Sequence, residues 1–194
     1  MKVNHRKDKI IDTAYTLFVR DGYDNTSVDE IIANIGIAKG TFYYYFETKE
    51  QLLEAVINKL LDQEKAKAIE VAESSMPLEQ KLVGVIMAMR PTSSEAEIAD
   101  ALNKPENIVM HEKINQKIIE TATPILATIV EDGVADGVFN CTNIAERIKL
   151  ILIMSGMFDD GKFTEHDIEV FIDTIEKVLG AKPSTMKFIE ELIK

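Results

Sequence analysis

Residues 26–51, TSVDEIIANIGIAKGTFYYYFETKEQ, restrict what this chain can fold into more than any other stretch. Thr26 and Ser27 precede a short apolar-periodic run, Val28, Ile31, Ile32 and Ile35. Asp29 lies three residues after Thr26 and Glu30 three after Ser27, so either hydroxyl can open a capping box. Gly36 then stops the helix, since it takes a left-handed conformation cheaply. A second helix follows with five aromatics, Phe42 to Phe46. Phe42 and Phe46 are four apart and share one face, which spreads Tyr43, Tyr44 and Tyr45 around the rest. Three tyrosines so distributed cannot all be core. Two short helices, a tight turn and an outward aromatic surface are expected here.

The rest of the chain has the same helical period and no strand alternation. A first helix is expected over 6–20, with Ile10, Ala14, Leu17 and Phe18 on one face. The next two are placed at 27–35 and 38–46. Thr48-x-x-Gln51 is a further capping box and opens a long fourth helix to about residue 74. Later helices are expected at 79–90, 95–103, from Pro105 to about 121, 124–136, 143–157, 165–179 and 184–193. Asp159-Asp160 falls in a loop between two of them. The architecture is all-α.

Charge divides the chain unevenly. The net charge is −11, but residues 1–51 hold seven basic and eight acidic residues, whereas the remainder holds 15 basic and 25 acidic. The acidity belongs to the C-terminal part, where it keeps a helical body in solution. The N-terminal part is neutral, with cations clustered at Lys2, Arg6, Lys7 and Lys9 and again at Lys39 and Lys49. A nucleic-acid surface is normally more basic than this.

In order along the chain stand Ile10, Ala14, Leu17 and Phe18, Gly22-Tyr23, Thr26-Ser27, Gly36-Ile37, Lys39-Gly40, Tyr43, Phe46 and Lys49-Glu50-x-Leu52. This series, over about residues 6–60, resembles the N-terminal domain of the bacterial TetR/AcrR-family transcriptional regulators. The resemblance implies a helix-turn-helix DNA-binding domain over 1–50, joined by a long helix to a helical effector-binding and dimerisation domain over 51–194. It implies a homodimeric repressor on a palindromic double-stranded DNA operator, released by a small lipophilic effector. Thr26 and Ser27 would meet phosphate at the start of a helix, where N–H groups are unpaired. Lys39 and Thr41 would meet base edges, Gly40 would permit close approach, and Tyr43, Tyr44 and Tyr45 would lie along the backbone. Lys49 would anchor a second phosphate. Of the three tyrosines, Tyr45 is the one expected to turn inward. Ala38 departs from the family pattern, which commonly has a hydroxyl there.

The effector end is less specific. Residues 110–139 resemble such C-terminal domains only loosely. Met87, Arg90, Met110, His111, Ile114 and Ile118 are the candidate ligand contacts, because Met and Ile with one or two polar handles suit a lipophilic molecule. Ile125, Ile129, Ile148, Leu152 and Ser155 are the candidate dimer contacts, on helices too apolar to stand exposed.

Other classes are disfavoured. No nucleophile elbow, phosphate-cradling glycine loop or Cys–His pair with useful spacing is present, so no enzyme is expected. His5, His111 and His166 are far apart and Cys141 is the one cysteine, so neither a metal site, a cofactor nor an internal disulfide is expected. No apolar run approaches the roughly 18 residues of a membrane span. Nothing resembles a signal peptide, and a cytoplasmic location is expected. The competing reading is a helical interaction protein whose helix-turn-helix is vestigial and binds no specific DNA.

Overall fold

A computed structural model describes residues 5–156 and 164–190. Among the described residues the regular elements are all helices: α1 (His5–Asp21), α2 (Val28–Ile35), α3 (Lys39–Tyr45), α4 (Lys49–Ala72), α5 (Leu78–Ala88), α6 (Ala96–Leu102), α7 (Ile108–Ala135), α8 (Ile144–Ser155) and α9 (Glu165–Leu179). Single 3-10 turns lie at Ser93–Glu95, Pro105–Asn107 and Lys187–Ile189. The fold class is therefore all-α, as the periodicity requires.

The chain forms two compact units. The first runs to Gln63 and takes in Pro91–Asn115; the second comprises Glu64–Arg90 and the chain from Gln116 on. The unit that carries the first three helices thus extends past residue 50 and recruits a segment distant in sequence.

In the first unit, α1 buries Ile10, Ala14, Leu17 and Phe18, α2 buries Ile31 and Ile35, and α3 buries Phe42. Leu52, Leu53 and Val56 on the first turns of α4 are almost fully buried. α6 packs on α1 and buries Ile98 and Ala101. The segment is pinned by polar contacts as well as apolar ones. Glu95, 8% exposed, accepts from the Thr92 N–H and hydroxyl, each at 2.7 Å. Asn107 is buried and donates to the Ala101 carbonyl at 2.7 Å. Lys104 pairs with Asp24 in the α1–α2 turn.

The second unit is organised around Leu82, Val85, Leu126, Ile129, Val130, Phe139, Ile148, Ile172, Ile175 and Leu179. Gly180 closes α9 in the left-handed region at φ 64°, and a β-carbon there would sit 2.2 Å from the Asn140 carbonyl oxygen. No other residue fits that approach. Glu176 is buried and accepts the Met186 N–H at 2.9 Å, fixing the turn that follows.

Two expectations need correction. α7 is one helix from Ile108 to Ala135 with Pro124 inside it, not two helices broken near residue 121. Pro124 and Glu120 are both exposed, so the carbonyl that the proline leaves unpaired lies on the solvent side. Over 183–189 the chain makes turns and one 3-10 turn, with Ser184 at φ 70°, and α-helix is reached only at Glu190. The tail beyond residue 190 lies outside the described residues, as do Lys2 and the Asp159-Asp160 loop. Of the two hydroxyls that could cap α2, Ser27 does so, accepting the Glu30 N–H at 3.1 Å.

Candidate nucleic-acid interface

The helix-turn-helix is built from caps and glycine. Ser27 starts α2, and Gly36 ends it at φ 74° with its N–H on the Ile32 carbonyl. The Ile37 N–H shares that carbonyl at 3.3 Å, which tightens the turn before α3 starts at Lys39. Ala38 occupies the N-cap of α3 and supplies no side-chain cap. Downstream, Thr48 accepts the Gln51 N–H at 3.2 Å, while the Gln51 side chain accepts the Glu47 N–H at 2.9 Å. α3 is therefore held between two short turns and anchored by Phe42 and Phe46, which are 0% and 3% exposed.

Anchoring one face of α3 turns the other outward. Tyr43 is 47% and Tyr44 79% exposed, while Tyr45 is half-buried, its ring edge-on to Tyr44 at 4.9 Å. Gly40 is exposed, and a β-carbon there would meet nothing within 4 Å. The fold itself does not require glycine at that position. Thr41 is half-buried one residue on.

The hydroxyls before α2 are in different situations. Ser27 is exposed at the helix start. Thr26 is fully buried, donating its hydroxyl to the Gly22 carbonyl at 2.9 Å. Its side chain closes the α1–α2 turn and offers no atom to an external partner.

Four lysines near this surface are engaged within the chain. Lys39, the only cation on α3, pairs with Asp29 of α2 at 2.8 Å. That hydrogen bond raises the Lys39 pKa above its ordinary value. Lys49 lies with its ammonium 4.0 Å from the centre of the Tyr23 ring. Burial lowers its pKa, against the opposing pull of Asp24 and Glu50. The Tyr23 hydroxyl meets Glu50 at 3.4 Å, and burial first, then the Glu50 charge, push its pKa well up. Lys7 stands 5.5 Å over the Phe46 ring, and Lys9 donates to the Ile35 carbonyl at 3.5 Å. α1 thus brings two cations to the ends of α2 and α3. Sequence reasoning missed Asp29 and Tyr23 as partners of these lysines, since separations of 10 and 26 residues leave no local signal.

The effector candidates are distributed over both units. Met110 and Ile114 are buried in the first, and His111 is half-buried with the Asn115 amide 3.3 Å from its Nε2. Met87, Arg90 and Ile118 belong to the second unit. Met87 is half exposed, Arg90 exposed, and Ile118 packs against the unit's core. A groove of about 360 Å³ elsewhere is lined by Glu79, Ser184, Thr185, Lys187, Phe188 and Glu190, none of them a candidate. Of the dimer candidates, Ile125, Ile129 and Ile148 are buried in the unit's own core, and Leu152 and Ser155 are half-buried. The large apolar residues that α8 and α9 turn outward are Leu150, Ile153 and Val170, each half exposed or more. Among the described residues no helix is long and apolar enough to cross a membrane. Nor do any three of their His, Cys, Asp or Glu side chains gather where a metal could sit.

An anchored α2–α3 pair with an outward aromatic face is the geometry of a helix-turn-helix. Residues 10–56 match the model of bacterial regulatory proteins of the tetR family, and residues 90–177 match the tetracyclin repressor-like C-terminal domain. The chain belongs to the TetR family. The HTH-type transcriptional regulator YhgD of Bacillus subtilis (strain 168) is 25% identical over 135 residues, covering 68% of this chain and 71% of YhgD. IcaR, the negative transcriptional regulator of the biofilm operon icaADBC in Staphylococcus aureus (strain Newman), is 43% identical over 56 residues. That match covers 29% of this chain and 30% of IcaR. A transcriptional regulator from Cytophaga hutchinsonii ATCC 33406 shares the fold, with a TM-score of 0.62 at 24% identity over 97% of this chain and 98% of the other. A TetR/AcrR-family regulator from Thermobifida fusca YX-ER1 does so with a TM-score of 0.56 at 24% identity, over 91% and 97%.

Proposed function

We propose that this regulator is a ligand-responsive homodimeric repressor of a palindromic operator. The observation that carries the DNA contact is α3 itself. Phe42 and Phe46 fix it from behind, and Tyr43, Tyr44 and an unobstructed Gly40 face outward beside Lys39. In this reading Lys39 and Thr41 meet base edges, and Tyr43 and Tyr44 meet phosphate and sugar. Tyr45 contributes at the rim of the interface. At the start of α2 the phosphate contact belongs to Ser27 and the backbone N–H groups that follow it; Thr26, fully buried with its N–H on the Tyr23 carbonyl, positions that helix start from behind. Lys49 supplies the second anchor.

Dimerisation uses the outward side of α8 and α9, with Leu150, Ile153 and Val170 at its centre. A two-fold pair of α3 helices then reads two half-sites on one face of the duplex. The effector is a small lipophilic molecule, and it acts by changing the setting of α4, which begins in the first unit and ends in the second. Within the second unit Ile118 remains a proposed contact, with Met87 and Arg90 as more peripheral ones. No enzymatic step and no cofactor form part of this function.

A second reading is favoured by one observation: Lys39 and Lys49 are both engaged within the chain, in a stretch, residues 1–51, that carries no excess of basic residues. The protein would then be a helical interaction module without sequence-specific DNA binding. The two readings part on salt. Duplex affinity that falls steeply with salt supports the repressor, because phosphate contacts release counterions. Absent or salt-independent binding supports the interaction module.

A further inference from the structure

We propose that the start of α1 is a second phosphate-binding site, in which Lys7 and Lys9 hold the DNA backbone at the ends of α2 and α3 and carry much of the salt-dependent affinity for duplex. The inference rests on the DNA-reading function proposed above. It follows first from where the first unit keeps its positive charge. Residues 1–11 hold four basic residues and one acidic. The remainder of that unit, 12–63 and 91–115, holds six basic and fourteen acidic residues. A polyanion is attracted where cations are in excess, and in this unit the excess lies at the start of α1.

The fold then brings two of these cations to the reading helices. Lys9 donates to the carbonyl of Ile35, the last residue of α2, at 3.5 Å. The Lys7 ammonium stands 5.5 Å over the ring of Phe46, the C-cap of α3. Both lysines are exposed. An ammonium has three donors, so Lys9 keeps its carbonyl while it meets a phosphate. Lys7 likewise keeps its stem on the ring with its charged head in solvent. Neither has to give up its present contact first. Ser27, the phosphate contact proposed at the other end of α2, lies about 12 Å from Ile35 along the helix axis. The major groove is about 12 Å wide. α2 is therefore long enough to reach one strand through Ser27 and the other through Lys9. Phosphate contacts carry no sequence information, so the two lysines fix the register in which α3 reads. A lysine at a helix end also suits the dipole, but a purely structural role of that kind leaves the salt dependence of duplex binding untouched.

The test uses full-length protein and two probes. One is a random-sequence duplex of about 30 base pairs, long enough for two half-sites, and the other is the tightest duplex that wild-type protein selects from that pool. Lys7→Gln with Lys9→Gln should weaken binding to both by a similar factor, roughly ten- to a hundred-fold at about 0.1 M salt. The slope of log affinity against log salt should become shallower by about two. Lys7→Arg with Lys9→Arg should keep the wild-type slope. Lys65→Gln with Lys67→Gln removes the same charge from exposed positions of α4 in the second unit, and should keep it as well. A slope that the Lys7/Lys9 glutamine pair leaves unaltered overturns the proposal, whatever happens to melting temperature. An equal loss of slope from the Lys65/Lys67 pair also overturns it. If wild-type protein binds no duplex at all, the DNA-reading function fails and this inference with it; binding by wild type with an unaltered slope in the Lys7/Lys9 variant overturns the inference alone.

Discussion

The ammonium of Lys49 lies 4.0 Å from the centre of the Tyr23 ring, so the cation that opens α4 is seated on an aromatic face from the α1–α2 turn. Such a contact contributes roughly 0.5–1 kcal/mol where it is partly exposed. It also fixes where the charge is presented. Lys49→Ala should weaken binding to every duplex by a similar factor, because a phosphate contact carries no sequence information. The slope of log affinity against log salt should fall by about one. An unchanged slope would remove Lys49 from the interface.

Tyr23 also sets an alkaline limit. Burial and the neighbouring Glu50 raise its hydroxyl pKa well above the ordinary 10.0. A group whose pKa is raised by folding contributes full stability below its unfolded pKa. That contribution is lost as pH climbs from there toward the folded value. Thermal stability should decline above about pH 10, and Tyr23→Phe should flatten the decline. Tyr15, raised mainly by burial and then by Glu95, contributes in the same direction and limits how flat the curve becomes. Melting curves between pH 7 and 11 decide this; a Tyr23→Phe profile that parallels wild type would contradict it.

The two sides of α3 should separate stability from binding. Phe42 is fully buried, and Phe42→Ala should cost about 3–5 kcal/mol of folding stability. Tyr44 is 79% exposed, and Tyr44→Ala should move stability by no more than about 0.5 kcal/mol while weakening duplex binding. Denaturant unfolding together with duplex titration reads both. Equal destabilisation by the two substitutions would mean that Tyr44 is part of the core.

Assembly is tested on α8. Leu150→Glu with Ile153→Glu should convert the proposed dimer to a folded monomer in sedimentation velocity, because both side chains are exposed. Ile148→Glu should instead unfold the second unit, since Ile148 is 4% exposed within its core. A Leu150/Ile153 variant that remains dimeric would place the interface elsewhere.

What the sequence made legible was whatever depends on neighbours in the chain. α2 and α3 fall within a residue of their expected spans, because Ser27, Gly36 and the Phe42–Phe46 pair are local signals. Thr48 likewise marks the start of α4. What was hidden depends on the other side of a contact. Thr26 and Ser27 are equally good caps on paper, and only the Gly22 carbonyl, satisfied by Thr26, separates them. α8 is apolar on more than one face, so its period could not say that Ile148 points in while Leu150 and Ile153 point out. Pro124 reads as a helix break until its exposed position is known. Residues 91–115 have no sequence mark that ties them to α1, yet Lys104 meets Asp24 eighty residues away.

The central claim is that α3 reads DNA sequence, and the most direct measurement is duplex binding by the Lys39→Ala, Tyr43→Ala double variant. Wild-type protein should bind its selected duplex far more tightly than a scrambled one. The double variant, with its fold intact, should lose that preference and bind both weakly. Undiminished preference for the selected duplex would contradict the account.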